Sequence, residues 1–328
     1  MSLSIFNKEN FPPPSWGRIG GGGYFKYHPP LTPPIKACLR QAGRGSSEEI
    51  NKIILQALRE DAFQKDITTK LFIPQDKISE GYIVAKEETA LCGLDIARSV
   101  FQKLDKNFKF TTPFKDGQKV KAHTKIAFLK GKAQAILTAE RTALNFLGYL
   151  SGISTSVNQF VQATRPFKTI LLDTRKTTPG LRILEKYAVR CGGARNHRLN
   201  LEEFIFLKDN HKKCFPHFKN LVVKAGEVKR QTKKTIAIEV ETLNEFKEAL
   251  EAQVDIILLD NFTTSQLKKC VKMIRMDTGI RRRPLLEASG GITLKNIRVF
   301  AKTGVDRISI GALTHAHRSI DFSLEIIK

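Results

Sequence analysis

What this 328-residue chain lacks narrows it first. Its five cysteines, Cys38, Cys92, Cys191, Cys214 and Cys270, are odd in number and scattered, with no metal-ligand spacing, so they spell neither a disulfide framework nor a zinc site. His197, His211 and His217 likewise lack HExxH spacing. No apolar stretch reaches the roughly 20 residues that a spanning helix needs, and the N-terminus lacks the apolar segment of a secretory signal. A soluble, cytoplasmic protein with no membrane partner is the expectation. Acids are scarce: 32 Asp and Glu stand against 55 Lys and Arg, for a formal charge of +23. Such an excess points to anionic partners. Nucleic acid is not expected among them, because finger spacing, aromatic RNP runs and basic heptads are all missing. A small, multiply charged substrate remains. No GxSxG-like elbow presents a nucleophile, which removes triad hydrolysis.

Residues 1–45 hold seven of the thirteen prolines and a GGGG run, so they read as a disordered basic extension. Order is predicted to begin with SSEEINKIILQALRED at 46–61, where Ser46 or Ser47 stands before two glutamates as an N-cap. Ile50, Ile53, Ile54 and Leu58 then form a helical stripe. GYIVAKE (81–87) and KIAFLKG (125–131), with a turn at 113–118, suggest a small mixed α/β domain ending near residue 135. From about 136 a long helix follows, with Leu137, Ala143, Leu144, Leu147, Gly148 and Leu150 on a closely packing face and Arg141 at its border.

Beyond that helix, short apolar strands alternate with helical segments: TILLD (169–173), FIFLK (204–208), AIEVE (237–241), IILLD (256–260), PLLEAS (284–289) and RISIG (307–311). The alternation implies parallel βαβ units, closed as a TIM-like barrel or opened as a doubly wound sheet. Chemistry gathers where these strands stop: Glu239 or Glu241, Asp260, Ser289-Gly290-Gly291 and Gly311, joined by Arg175, Lys176 and Lys208. Residues just past the C-terminal ends of barrel strands form a ring around one pocket, and glycine turns there offer backbone N–H groups to phosphate. In CGGARNHRLN (191–200), Arg198 beside His197 suits planar recognition of a carboxylate. Singly, each feature has a plainer reading as a turn, a cap or a snorkelling lysine.

Together, ERTALNFL, DTRKTTPG, NHR, LKDNH, the EVE and LLDNF pair, EASGGI and GVDRISIGALTH make the chain resemble the quinolinate phosphoribosyltransferase family, from about residue 50 onward. The resemblance implies an N-terminal α/β sandwich (46–148), an incomplete seven-stranded α/β barrel (149–317) and a C-terminal segment (318–328) returning to the first domain. It implies transfer from 5-phosphoribosyl-1-pyrophosphate to quinolinate with Mg²⁺ and decarboxylation, by a homodimer or larger homo-oligomer. By motif, a dicarboxylate clamp falls on Arg175, His197, Arg198 and Lys208, with Arg141 from a neighbouring subunit. Lys176 would meet the donor, Glu239 and Asp260 its ribose directly or through magnesium, and Thr174, Ser289, Gly290, Gly291, Gly311 and His315 would complete the pocket. Lys176, Glu239 and Asp260 are the implied catalytic groups. Two departures stand out: Ala237 where an acid is common, which would alter ribose contacts, and one glycine fewer in the 191–198 loop. The alternatives are a relative acting on another pyridine or pyrimidine carboxylate, or a basic nucleic-acid-binding protein.

Overall fold

The computed structural model describes residues 46–276 and 283–327, so the expected disordered leader 1–45 lies outside the described residues. In chain order the first elements are α1 (Ser46–Glu60), α2 (Ile67–Phe72), β1 (Ile78–Ala85), β2 (Thr89–Ala90), α3 (Leu94–Leu104), β3 (Lys109–Thr111), β4 (Lys119–Val120), β5 (Thr124–Lys132) and α4 (Ala133–Ala163). Then come β6 (Ile170–Leu172), α5 (Arg182–Cys191), β7 (Ile205–Leu207), α6 (Asp209–Lys212), α7 (Phe218–Gln231), β8 (Ile236–Val240), α8 (Leu243–Glu251), β9 (Ile256–Asp260) and α9 (Thr264–Met276). The last are β10 (Leu285–Ser289), α10 (Ile297–Ala301), β11 (Arg307–Ser309), α11 (Ala312–His315) and β12 (Phe322–Ile326).

Two units divide this chain. Residues 47–151 form the first together with the segment from 319, and the described part of 152–318 forms the second. The first unit carries an antiparallel sheet in the order β12-β1-β5-β3 beside a small β2-β4 ladder. Helix α1 buries Ile50, Ile54 and Leu58, the stripe its spacing predicts, and each such side chain contributes about 1.5–3 kcal/mol when fully buried. On α4, Ala143, Leu144, Leu147 and Leu150 are buried, whereas Leu137, expected on the same face, is 37% exposed. Gly148 has a specific task. A Cβ there would lie 2.6 Å from the Ile320 carbonyl, and the Ile320 amide donates to the Gly148 carbonyl at 3.0 Å, so only a bare backbone lets the returning chain pass.

The second unit is a parallel sheet in the order β6-β11-β10-β9-β8-β7. Arg195 adds a one-residue parallel bridge to Leu172 on the free side of β6, through the Arg195 amide to the Leu171 carbonyl and the Asp173 amide to the Arg195 carbonyl. Six laddered strands and this bridge make seven positions in an incomplete barrel. Its strands are near-continuous apolar runs because helices cover the outside and side chains fill the inside. All five residues of β8 are buried.

Register partners in a parallel sheet share a face. One row therefore runs Glu239, Leu258, Glu287, Arg307 across β8, β9, β10 and β11, with Asp260 and Ser289 paired one step nearer the C-terminal ends. One step the other way, Ala237 and Ile256 pair, and Ala237 joins Phe206, Ile256 and Leu258 in an apolar cluster against which Phe204 packs. Ala237 is thus a buried floor residue below Glu239.

Candidate active site

Strand ends of the second unit supply the site. At β7, Phe206 turns its ring toward two cations: the Arg198 guanidinium lies 5.0 Å and the Lys208 ammonium 5.0 Å from its centroid. Arg198 is buried, sits 5.5 Å from the Phe204 ring as well, and donates to the Phe204 carbonyl at 3.3 Å. Burial, and after it the neighbouring Arg175 guanidinium, hold Arg198 below the ordinary arginine value. Among the described residues neither Arg175 nor Arg198 has a carboxylate within ion-pair distance, and the buried Nε of Arg175 makes no hydrogen bond. Two guanidiniums held together without an acid form a place for an anion.

The loop carrying His197 and Arg198 is fixed from below by Asp173, the residue after β6. Its carboxylate is fully buried and accepts from Lys186 Nζ at 2.6 Å, Asn196 Nδ2 at 2.7 Å and the His197 amide at 2.7 Å. Burial pushes Asp173 up and Lys186 down from their ordinary values, and their mutual attraction opposes both shifts. The His197 ring is nearly enclosed: Nδ1 accepts the Arg198 amide at 2.9 Å and Nε2 lies 3.2 Å from Glu287 Oε1. The Arg195 bridge shows how this polar segment becomes the seventh stave of the barrel, through backbone bonds that side-chain patterning does not reveal.

On the other flank, Lys208 Nζ lies 3.3 Å from Glu239 Oε2, and the Asp209 amide donates to Glu239 Oε1 at 3.3 Å. Glu239 is buried in β8, whereas Glu241 lies beyond the strand, exposed, and accepts from Lys212 at 3.0 Å. The strand-end acid of this pocket is therefore Glu239. Burial first and Glu239 second raise the Asp260 carboxyl above its usual value, while Lys208 and Lys176 partly offset them. Asp260 and Glu239 thus feel each other as like charges, a pair that a hard divalent cation would relieve. No three-ligand metal cluster includes either acid among the described residues.

Lys176 faces Gly311 and His315: a Cβ on Gly311 would lie 2.9 Å from Lys176 Cδ and 3.1 Å from His315 Nε2. Thr314 Oγ1 donates to the Lys176 carbonyl at 2.6 Å, and Thr174 Oγ1 accepts the Lys176 amide at 3.0 Å. Gly290 adopts φ +93°, and a side chain there would collide with Asn261, whose amide donates to the Ser289 carbonyl at 2.9 Å. Gly291, at φ +59°, has open space around it. These turns leave backbone and small side chains at the rim of the pocket, where phosphate oxygens can approach.

Sequence reasoning named thirteen residues in this unit, Thr174, Arg175, Lys176, His197, Arg198, Lys208, Glu239, Asp260, Ser289, Gly290, Gly291, Gly311 and His315, and the contacts above bring together all but Gly291, which follows Gly290 at the turn. Arg141 belongs to the first unit, exposed on α4. Three residues were missed: Asp173, Lys186 and Glu287. Asp173 directly precedes the TRK segment and was a readable signal. Glu287 lies mid-strand, and Lys186 in a helix, where a charge ordinarily faces solvent.

A parallel α/β barrel whose C-terminal mouth combines unpaired guanidiniums, an ammonium beside a glycine turn and two acids defines an enzyme class that handles small polyanions. Comparison with known proteins makes this particular. Residues 153–325 match the quinolinate phosphoribosyl transferase C-terminal domain family and residues 66–151 its N-terminal domain family. The chain is 42% identical over 282 residues to a probable nicotinate-nucleotide pyrophosphorylase [carboxylating] of Synechocystis sp., covering 85% of this chain and 93% of the relative. It is 35% identical to a quinolinate phosphoribosyltransferase [decarboxylating] of Nicotiana glauca, described as mitochondrial, covering 85% of this chain and 82% of the relative. The solved nicotinate-nucleotide pyrophosphorylase of Francisella tularensis superposes with a TM-score of 0.78 at 40% identity, covering 85% of this chain and 96% of that one. This chain belongs to the quinolinate phosphoribosyltransferase family.

Proposed function

We propose that this protein joins quinolinate to 5-phosphoribosyl-1-pyrophosphate, releasing pyrophosphate and CO₂ and giving nicotinate mononucleotide, a step of de novo NAD synthesis. One observation carries the reading: Arg175 and Arg198 lie together with no carboxylate paired to either among the described residues, and Arg198 is depressed by burial and by that neighbour. A substrate with two adjacent carboxylates supplies the missing negative charge. Lys208 lies against the same Phe206 ring as Arg198 and adds a third cation. A monocarboxylate would leave part of this charge unmatched, which favours quinolinate over nicotinate.

In the proposed reaction the bond between ribose C1 and pyrophosphate breaks first, positive charge develops on the sugar, and the pyridine nitrogen bonds to C1. Glu239 and Asp260 favour the cationic sugar, and Lys176 beside Gly311 and His315 favours the departing pyrophosphate. The clamp holds the ring nitrogen in line, which lowers the entropic part of the barrier. The bond between C2 and its carboxyl group then breaks as CO₂ leaves; the electron pair remaining at C2 is stabilised by the quaternary nitrogen beside it and takes up a proton. Mg²⁺ suits the two acids together with donor oxygens, and when bound it would neutralise the pyrophosphate.

We place Arg141 of a partner subunit over the dicarboxylate, so that the working unit is a homodimer or a larger homo-oligomer. Among the described residues no helix is long and apolar enough to cross a membrane, and Cys191, Cys214 and Cys270 carry free thiols, which suits a reducing cytoplasm. The test is turnover by the purified full chain with quinolinate, phosphoribosyl pyrophosphate and Mg²⁺, alongside Arg175→Ala. Nicotinate mononucleotide is expected, with quinolinate KM raised about a hundredfold in the variant by loss of one charged pair and donor KM little changed. Equal turnover of nicotinate, or unchanged quinolinate kinetics, would refute the clamp.

A further inference from the structure

Arg182 opens α5 and stands outside the clamp, yet it reaches both loops that carry the clamp guanidiniums. Its Nε donates to Thr177 Oγ1 at 2.9 Å, and a terminal nitrogen of the same guanidinium donates to the Leu199 carbonyl at 3.3 Å. Thr177 in turn donates its hydroxyl proton to the Arg175 carbonyl at 3.4 Å. One run of hydrogen bonds therefore leads from the backbone of Arg175 to the residue beside Arg198. The reach follows from local geometry. Cβ atoms of a helix tilt toward its N-terminus, so a side chain in the first turn of α5 leans back over the loop that enters it.

The two clamp guanidiniums need such a tie. They are like charges, and Arg175 helps to depress Arg198, so without substrate their repulsion works to part the loops. A carboxylate between them would hold them together, but it would also occupy the place of the substrate. Arg182 instead binds a hydroxyl and a carbonyl, both neutral, and among the described residues it has no carboxylate within ion-pair distance. Its planar fork sets the separation of the two acceptors, which a single ammonium cannot do. Other parts of the first loop have separate anchors: the Thr178 amide donates to Glu185 Oε1 at 2.9 Å, and the Lys176 carbonyl accepts from Thr314 Oγ1 at 2.6 Å. Lys176 thus keeps its place through a contact that Arg182 does not make.

We infer that Arg182 is a positioning residue that ties the Arg175 loop to the Arg198 loop and so matches the spacing of the two guanidiniums to two adjacent carboxylates. The assignment rests on the proposed activity and deepens it. A single carboxylate needs one guanidinium and is indifferent to the spacing, so the tie acts on the choice between quinolinate and nicotinate.

Equilibrium binding of quinolinate and of nicotinate to the full chain, measured by calorimetry without the phosphoribosyl donor, tests this. Arg182→Met should weaken quinolinate about tenfold, the worth of one hydrogen bond from a charged group, and leave nicotinate within about twofold. Arg182→Lys keeps the charge without the fork and should bind quinolinate about as weakly as the Met variant. Thr177→Val should reproduce the loss, and combining it with Arg182→Met should cost nothing more. Equal weakening of both ligands, full recovery by lysine, or additive losses in the double variant would each overturn the inference, the last by making Arg182 a direct contact of the substrate. Hydrogen exchange read by mass spectrometry needs no ligand. Residues 174–177 and 196–199 should both exchange about tenfold faster in Arg182→Met, and an unchanged rate in either segment also overturns the tie. A parent protein that binds no quinolinate sinks the activity instead, and the exchange rates still report on the two loops.

Discussion

Asp173 and Lys186 offer the sharpest energetic test, because both are buried and each is the other's counter-charge at 2.6 Å. Asp173→Ala leaves an ammonium in the barrel wall with no acid, a change that costs about 3–5 kcal/mol. It also orphans the His197 amide, whereas Asn196 keeps a second acceptor in the Lys186 carbonyl at 2.9 Å. Replacing both partners by apolar groups, Asp173→Leu with Lys186→Met, removes the charge problem and leaves mainly the orphaned amide, about 1–3 kcal/mol. The orphaned amide is common to both, so the double variant should be more stable than Asp173→Ala by about 3–5 kcal/mol, despite carrying one more substitution. Urea unfolding of the three proteins, followed by circular dichroism, measures this. Raising the pH should relieve the single variant in particular, since burial already lowers Lys186 and loss of its proton removes the uncompensated charge. Equal destabilisation of the single and double variants would refute the reasoning and make Asp173 a packing residue rather than a charge partner.

Two further outcomes follow from the pocket. Asp260 is raised above its unfolded value by burial and by Glu239, so its contribution to stability is present below the unfolded carboxylate value and is lost as pH rises through the folded one. Asp260→Asn should accordingly match the parent in acid and become the more stable protein toward neutral pH, while losing turnover; a parent that outlasts the variant at neutral pH in thermal melts would contradict this. Gly290→Ala should cost about 1–3 kcal/mol, because φ is +93° and the new methyl meets Asn261, and it should raise donor KM more than quinolinate KM. Paired melting and kinetic measurements check both parts, and a neutral Gly290→Ala would remove the argument for a tight turn.

The parallel βαβ architecture and most of the residues at its mouth could be read from the letters alone because each strand is a short apolar run that stops at a charge or a glycine. In a parallel barrel such endings converge regardless of how far apart they lie in the chain. Arg175, Asp260 and Gly311 were legible for that reason, and Glu239 as one of two candidates with Glu241. The depth of Ala237 was not legible because its distance from the mouth depends on register, and pairing with Ile256 places it one step below Glu239. Glu287 was passed over because a lone acid within a strand ordinarily alternates outward, and only the row through Leu258 and Arg307 turns it into the barrel.

Local pattern thus fixes which residues end a strand, since backbone geometry and apolar periodicity are properties of neighbours in the chain. The surroundings of His197 needed the fold. They are an acid ninety residues further on, whose Oε1 lies 3.2 Å from Nε2, and an amide that donates to the other nitrogen. Burial removes the water that would otherwise surround the ring, so its partners are set by tertiary neighbours and not by the residues beside it in the chain.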